Sequence, residues 1–214
     1  MFDVEGTLVD AAALTLQCWQ ETFRSFGYKF SLAQLHPHSG QDAREMLQAL
    51  LPRERARELD SQLTKAQGER YRAEYLPQVV PFPGVRKLFE RIKQDGRPIA
   101  LATSSSNDEC KHYRTLADVG DLVDAMACGD DVEHDKPDPA LALQRAGDIA
   151  PESAVMVGDT PYDAMAASRI GATAIGVRSG GFSEAELSGS GCSAVYLDVA
   201  DLLARYDQFL KLAA

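Results

Sequence analysis

The chain has 214 residues, with 22 lysines and arginines against 32 aspartates and glutamates, so its formal net charge is −10. Hydrophobic residues make up 45% and charged residues 25%, which is typical of a globular protein with one large domain, or with a core and a smaller inserted domain. The acidic balance argues against binding of a nucleic-acid backbone, which needs a basic face, but it leaves open a local positive pocket for a small phosphorylated ligand.

The apolar segments are short and the cysteines are scattered. No apolar run approaches the roughly 20 residues that span a bilayer, and the first residues lack the basic and apolar regions of a signal peptide. The four cysteines form no CxxC pair, which favours reduced thiols in a cytosolic protein. The sequence therefore predicts a cytoplasmic protein with no membrane partner and no nucleic-acid partner.

The segment from about residue 12 to residue 78 is predicted to be mostly helical. Its first helix has apolar residues at near-helical spacing and breaks at Gly27. A second helix is expected at about 42–51, ended by Pro52, and a third at about 54–75. The prolines of residues 77–84 then indicate a linker, since proline is excluded from helix interiors.

After residue 84 the pattern changes to short β-type runs that alternate with helical runs. Following a first strand that ends near residue 3, the predicted strands cover residues 98–102, 125–128, 154–157, 173–177 and 194–197. The predicted helices cover residues 85–95, 107–117, 139–146, 162–170 and 199–212. This alternation predicts an α/β fold in which a parallel sheet carries helices on both faces and binds ligands beyond the carboxyl ends of its strands. Gly180 and Gly181 indicate a flexible loop at that edge, to which no contact is assigned.

Carboxylates, hydroxyls and a lysine follow the predicted strands. The candidate site residues at these strand ends are Asp3, Glu5, Thr103, Lys136, Asp159 and Asp163. Several carboxylates around one point repel one another, and a divalent cation relieves that repulsion. Oxygen ligands with room for water suit Mg²⁺, which is usually held by a few carboxylates together with substrate phosphate. The lysine and the threonine hydroxyl would complete a phosphate pocket, in which one carboxylate acts as nucleophile and another as acid and base.

Four short motifs occur in order along the chain: DVEGTLVD at residues 3–10, LATS at 101–104, KP at 136–137 and GDTPYD at 158–163. In this order and spacing they resemble the haloacid dehalogenase-like hydrolase superfamily. The best fit is its phosphatase branch with a helical cap, which includes phosphoglycolate phosphatases and relatives of β-phosphoglucomutase. The resemblance implies a Rossmann-like core formed by residues 1–11 and 79–214, with an α-helical cap domain of residues 12–78 that closes the site.

The resemblance also implies roles for individual positions. Asp3 is expected to be the nucleophile that becomes an aspartyl phosphate, and also a ligand of Mg²⁺. Glu5 occupies the position of the general acid and base, with its backbone carbonyl on the metal. Asp159 is expected to be a metal ligand, and Asp163 to support the metal waters or to orient the catalytic lysine. The residues expected to hold the phosphoryl group or the substrate are Thr103, Ser104, Asn107 and Lys136.

Two features depart from the family's pattern. The usual acid and base is Asp, whereas Glu5 is one methylene longer. Enolase phosphatases share this Asp-x-Glu-Gly-Thr form, and Glu5 favours phosphoester chemistry over the Ala of phosphonate hydrolases and the Tyr of haloacid dehalogenases. Only Met1 and Phe2 precede Asp3, so the first strand is expected to be short, and a natural start upstream of Met1 is left open.

Together these features predict a Mg²⁺-dependent phosphatase that hydrolyses a small phosphorylated metabolite, similar to phosphoglycolate or to a sugar phosphate. One alternative is a mutase similar to β-phosphoglucomutase, which forms the same intermediate but returns the phosphoryl group to a sugar. A second alternative, motivated by Glu5 and the short first strand, is a protein of weak catalytic activity that binds phosphate or Mg²⁺ for regulation. The sequence leaves a monomer and a homodimer open.

Overall fold

The computed structural model of the protein describes residues 1–131, 139–147 and 149–212. The chain divides into two compact units, one comprising Met1–Asp10 and Val80–Ala214, the other comprising Ala11–Val79. Within the described ranges, no helix combines the length and the apolar character needed to cross a membrane.

The unit of residues 11–79 is helical. Its helices are α1 (Ala12–Ser25), α2 (Leu32–Leu35), α3 (Ala43–Leu50) and α4 (Arg53–Arg70). Leu16, Trp19 and Phe23 recur every three or four residues along α1, and this spacing places them on one buried face. That face forms a core cluster with Leu47 of α3 and Leu63 of α4.

The ends of these helices follow local sequence signals. Asp42 caps α3, since its Oδ1 accepts a hydrogen bond from the backbone N–H of Arg44 at 2.8 Å. Pro52 separates α3 from α4, as the sequence predicts. The last predicted turn of α4 differs from regular α helix, because Tyr71–Tyr75 forms a wider π-helical turn in which the two buried tyrosine rings stack 6.4 Å apart.

The other unit is built on a parallel sheet. Its strands are β1 (Ala100–Ala102), β2 (Ala125–Ala127), β3 (Val155–Gly158), β4 (Thr173–Val177) and β5 (Ala194–Tyr196). The strands β1 and β2 pair in parallel, and so do β3 with β4 and β4 with β5. Most strand residues are buried, as expected for a parallel sheet with helices on both faces. The predicted α/β fold class is confirmed.

The first residues of the chain join the two parts of the sheet. Phe2 forms parallel bridges with Leu101 of β1 on one side and with Val157 of β3 on the other. The backbone N–H of Asp3 donates to the carbonyl of Val157 at 2.9 Å. The order across the sheet is therefore β2, β1, the first segment, β3, β4 and β5, and Asp3 lies at the carboxyl edge of its centre.

The remaining helices flank this sheet. They are α5 (Val85–Gln94), α6 (Asn107–Leu116), α7 (Pro139–Arg145), α8 (Pro161–Ile170), α9 (Glu184–Gly189), α10 (Val199–Ala204) and α11 (Tyr206–Leu212). The helix predicted over 199–212 is two helices, since the backbone of Arg205 leaves the helical region where its guanidinium binds Asp201. The short helix α9 was not predicted, although Ser183 and Glu186 form a capping box that the sequence shows.

Asp124 ties together the amino ends of β1 and β2. Its Oδ2 accepts a hydrogen bond from the backbone N–H of Ile99 at 2.7 Å, and Lys93 Nζ lies 2.7 Å from its Oδ1. Burial by itself would raise the pKa of Asp124, but the hydrogen bonds from Lys93 and Ile99 outweigh burial and hold that pKa below its ordinary value. The fold therefore stabilises the charged form of this carboxylate.

The substitution Asp124→Asn is expected to lower the free energy of unfolding near pH 7 by about 1 kcal/mol, a modest loss because the side chain is 36% exposed. The folded pKa lies below the unfolded value of about 3.9, so this contribution is present above that pH and is lost as the pH falls through the folded pKa. Urea denaturation of wild type and variant, near pH 7 and at about pH 3, measures the difference in their free energy of unfolding at each pH. The control is Glu152→Gln, which removes an exposed charge of the same unit. Equal stability of Asp124→Asn and wild type near pH 7 would contradict the expectation.

Candidate active site

Three buried aspartates meet at the carboxyl edge of the sheet. Asp3 ends the first segment, Asp159 follows β3, and Asp163 lies in the first turn of α8. One carboxylate oxygen of each lies within 4.8 Å of those of the other two, and the three residues are 7%, 1% and 4% exposed. The structure thus brings together three of the residues that the sequence placed at strand ends.

Hydrogen bonds orient two of these carboxylates. Asp163 Oδ2 accepts from the backbone N–H of Thr160 at 2.9 Å and from its hydroxyl at 2.8 Å, which closes the capping box of α8. Asp159 Oδ1 accepts from the hydroxyl of Thr7 at 3.1 Å. The amino end of α8 also favours a negative charge on Asp163 through the helix dipole. Asp163 is therefore held within its own motif, whereas Asp159 is held by a residue of the motif at residues 3–10.

The absence of side chains at two glycines leaves room for the carboxylate of Asp159. A Cβ added at Gly6 would lie 2.3 Å from Asp159 Oδ2, and one added at Gly180 would lie 1.8 Å from the same atom. Gly6 has a φ of +80°, which favours glycine. The hydroxyl of Ser179 donates to the carbonyl of Gly6 at 2.6 Å. Gly180, to which the sequence assigned no contact, therefore forms a wall of the aspartate cluster.

The donor set of the cluster fits a divalent cation. Mg²⁺ and Ca²⁺ prefer carboxylate oxygens, and three buried carboxylates concentrate negative charge that a cation offsets. Opposite ligands of an octahedral Mg²⁺ lie about 4.2 Å apart, at twice the Mg–O distance. One carboxylate oxygen each of Asp3, Asp159 and Asp163 lies within 4.8 Å of the other two, so these three residues could hold such an ion.

Glu5 is half-buried, and its carboxylate lies against a tyrosine from α6. The hydroxyl of Tyr113 donates to Glu5 Oε1 at 2.7 Å, and Tyr113 is itself 1% exposed. The sequence analysis missed Tyr113, because the two residues are 108 positions apart and no motif includes the tyrosine. The acid and base candidate thus has a partner that only the fold reveals.

Two buried thiols lie in the same region. Hydrogen bonding with Cys128, followed by burial, raises the pKa of Cys110, and the negative charge of Glu5 adds to this effect. The same hydrogen bond lowers the pKa of Cys128. Cys110 therefore stays protonated and adds no negative charge beside Glu5.

The residues predicted to hold the phosphoryl group differ in their surroundings. Thr103 follows β1 and is 1% exposed, and its Oγ1 lies 3.1 Å from the hydroxyl of the serine two positions later. Ser104 is exposed. The backbone N–H of Asn107 donates to Asp130 Oδ2 at 2.7 Å, so a carboxylate of the chain binds the amide at this helix start. Lys136 lies outside the described residues.

The substitution Gly180→Ala is expected to weaken the binding of a divalent cation by roughly 10- to 100-fold, because the added methyl group collides with Asp159 Oδ2. Calorimetric titration with Mg²⁺ measures this change in Kd. The matched control is Gly189→Ala, whose added methyl group meets nothing within 4 Å. Wild-type affinity in Gly180→Ala would show that the position of Asp159 does not govern cation binding.

Comparison with known proteins places the chain among hydrolases. Residues 1–177 match the family model of haloacid dehalogenase-like hydrolases. Validoxylamine A 7'-phosphate phosphatase from Streptomyces hygroscopicus subsp. limoneus is 24% identical over 179 residues, covering 83% of this chain and 84% of that protein. Fructose-1-phosphate phosphatase YqaB from Escherichia coli (strain K12) is 27% identical over 184 residues, covering 83% of this chain and 95% of that protein.

A solved structure shares the fold of most of the chain. The crystal structure of a hydrolase from Pseudomonas syringae has a TM-score of 0.81 and 27% identity, covering 97% of this chain and 96% of that one. The family match begins at the first residue, extends through β4 and includes all four motifs. The chain therefore belongs to the haloacid dehalogenase-like hydrolase family, as its motifs predicted, and is an enzyme of that family.

Proposed function

We propose that the protein is a Mg²⁺-dependent phosphatase that hydrolyses a small phosphorylated metabolite through an aspartyl phosphate on Asp3. The observation that carries this proposal is the buried cluster of Asp3, Asp159 and Asp163 at the carboxyl edge of a parallel sheet. The proposed reaction uses a carboxylate as nucleophile, ligands for a cation and a group that moves protons, which is Glu5. The two relatives described above, which are phosphatases, support the same class of reaction.

Asp3 is the proposed nucleophile. Its carboxylate attacks phosphorus, and the bond from phosphorus to the ester oxygen breaks as the bond to Asp3 forms. The backbone N–H of Asp3 donates a hydrogen bond to the carbonyl of Val157, and this bond fixes the position of Asp3 at the end of the central segment. A nucleophile held in this way loses little freedom on reaching the transition state, which favours attack.

Glu5 is the proposed acid and base. In the first step it gives its proton to the leaving ester oxygen, which would otherwise depart as an alkoxide. In the second step it takes a proton from the water that attacks the aspartyl phosphate, so that inorganic phosphate leaves and Asp3 is restored. Each cycle therefore returns Glu5 to its protonated form. Its backbone carbonyl is proposed as a further ligand of the metal.

The remaining site residues bind the metal and the phosphoryl group. When bound, Mg²⁺ supplies positive charge that offsets the negative charge of the phosphoryl oxygens. Asp159 and Asp163 are proposed to hold the ion together with Asp3. Thr103 and Lys136 are proposed to bind phosphoryl oxygens, as the family resemblance implies. Ser104 and Asn107 are proposed as lesser contacts with the substrate.

The proposed substrate is a sugar phosphate or a phosphate of similar size. The Escherichia coli relative is a fructose-1-phosphate phosphatase, which supports this class. The helical unit of residues 11–79 is proposed to be the cap domain, which selects the alcohol part of the substrate and excludes water during the reaction.

Phosphate release from a panel of esters tests the reaction class. The panel contains fructose 1-phosphate, glucose 6-phosphate, glycerol 3-phosphate, 2-phosphoglycolate and 4-nitrophenyl phosphate. We expect release in the presence of Mg²⁺ and its loss with excess chelator, because the three aspartates repel a phosphate dianion without a cation. Added Mg²⁺ is expected to restore it. No release from any ester by the folded, Mg²⁺-loaded protein would refute a phosphatase function.

The variant Asp3→Asn tests the nucleophile. We expect it to lower kcat by roughly 10³-fold or more, because an amide oxygen is a far weaker nucleophile than a carboxylate. The control is Asp207→Asn, which changes an exposed aspartate of α11 and is expected to leave kcat unchanged. Circular dichroism of both variants verifies the fold. Wild-type turnover by a folded Asp3→Asn variant would rule out the aspartyl phosphate on Asp3.

A further inference from the structure

Tyr113 of α6 lies directly against the carboxyl group of Glu5. Its hydroxyl donates to Glu5 Oε1 at 2.7 Å, and its side chain is fully buried whereas Glu5 is half-buried. We propose that Tyr113 is a positioning residue, which holds the carboxyl group of Glu5 in one orientation for proton transfer. This inference rests on the proposed function, in which Glu5 is the acid and base.

The length of Glu5 creates the need for such a partner. A glutamate has one more rotatable side-chain bond than the aspartate that is usual at this position, so its carboxyl group can occupy more positions. A general acid must lie within hydrogen-bond reach of the oxygen that it protonates. A displacement of about 1 Å can cost about 10²-fold in rate. A hydrogen bond to one carboxyl oxygen orients the group, and the other oxygen can then carry the proton.

Tyr113 is itself held in a fixed place. The helix α6 begins with a capping box, in which the side chains of Ser106 and Glu109 bind each other's backbone N–H groups. Three residues after the tyrosine the helix ends, and the backbone N–H of Ala117 donates to the carbonyl of Tyr113 at 2.8 Å. The buried ring on this anchored helix gives the hydroxyl a defined position beside Glu5.

The hydrogen bond between Tyr113 and Glu5 depends on the length of the glutamate side chain. An aspartate at position 5 would withdraw the carboxyl group by roughly the ~1.5 Å of one carbon–carbon bond. A contact of 2.7 Å would then exceed the range of a hydrogen bond. The effect of Tyr113 on catalysis should therefore depend on the presence of Glu5, which distinguishes positioning from a general contribution to the fold.

The variant Tyr113→Phe tests this role because it removes the hydroxyl and keeps the ring. The two probes are 4-nitrophenyl phosphate and the alkyl phosphate of the panel above that wild type hydrolyses fastest. Nitrophenolate is a stable anion and departs without a proton, whereas an alkoxide needs one. We expect kcat/KM for the alkyl ester to fall by about 10-fold or more, and kcat/KM for the nitrophenyl ester to change by less than about 3-fold.

The same substitution in a Glu5→Asp background completes a double-mutant cycle. There, Tyr113→Phe is expected to change kcat/KM for the alkyl ester by less than about 2-fold, since the shorter side chain does not reach the hydroxyl. Tyr206→Phe is the control, because it removes another buried tyrosine hydroxyl, on α11. The melting temperature of every variant is measured to verify that it folds.

The outcomes separate this inference from the proposed function. No alkyl ester hydrolysed by wild type would refute the phosphatase function, and the role of Tyr113 with it. An active wild type with an equally active Tyr113→Phe variant would overturn the role of Tyr113 alone. Equal losses with both esters, or equal losses in the wild-type and Glu5→Asp backgrounds, would show that Tyr113 supports the fold rather than the orientation of Glu5.

Discussion

The site depends first on the burial of the Asp159 carboxylate. An isolated buried charge is strongly disfavoured, so the chain must supply partners and space for it. Thr7 donates a hydrogen bond to one oxygen, and the absence of side chains at Gly6 and Gly180 leaves room for the other. A methyl group at either glycine would collide with the carboxylate where it lies, within 4.8 Å of a carboxylate oxygen of Asp3. The negative charge gathered there is what creates the demand for a cation.

A second constraint acts on the short central segment, which must fix the proposed nucleophile, Asp3, with few residues. Phe2 pairs with a neighbour on each side, and Asp3 bonds to the carbonyl of Val157, so the segment is anchored from both directions. The motif that follows is anchored again where Val9 pairs with Pro81 in an antiparallel bridge. The stretch that carries Asp3 and Glu5 is therefore held at both ends, which keeps the two proposed catalytic side chains on an anchored backbone.

The sequence predicted the sheet and the meeting of its aspartates for a clear reason. Parallel strands place their carboxyl ends at one edge, so residues that follow separate strands, such as Asp3 and Asp159, must lie close together. No such rule predicts the contact between Tyr113 and Glu5, because the two residues are 108 positions apart and no sequence pattern relates them. The part played by Gly180 was equally hidden, since a glycine that provides space is recognised only when its neighbour is known.

The start of α6 bears on the question of how so acidic a protein would attract the proposed substrate. Free amides at a helix start commonly bind phosphate, but here the N–H of Asn107 donates to Asp130 and that of Ser106 donates to Glu109. These two amides are satisfied by carboxylates of the chain itself. Under the proposed function, attraction for a phosphate dianion would come instead from a cation bound by the aspartate cluster and from Lys136. Metal and phosphate binding are then thermodynamically linked, and each must raise the affinity for the other by the same factor.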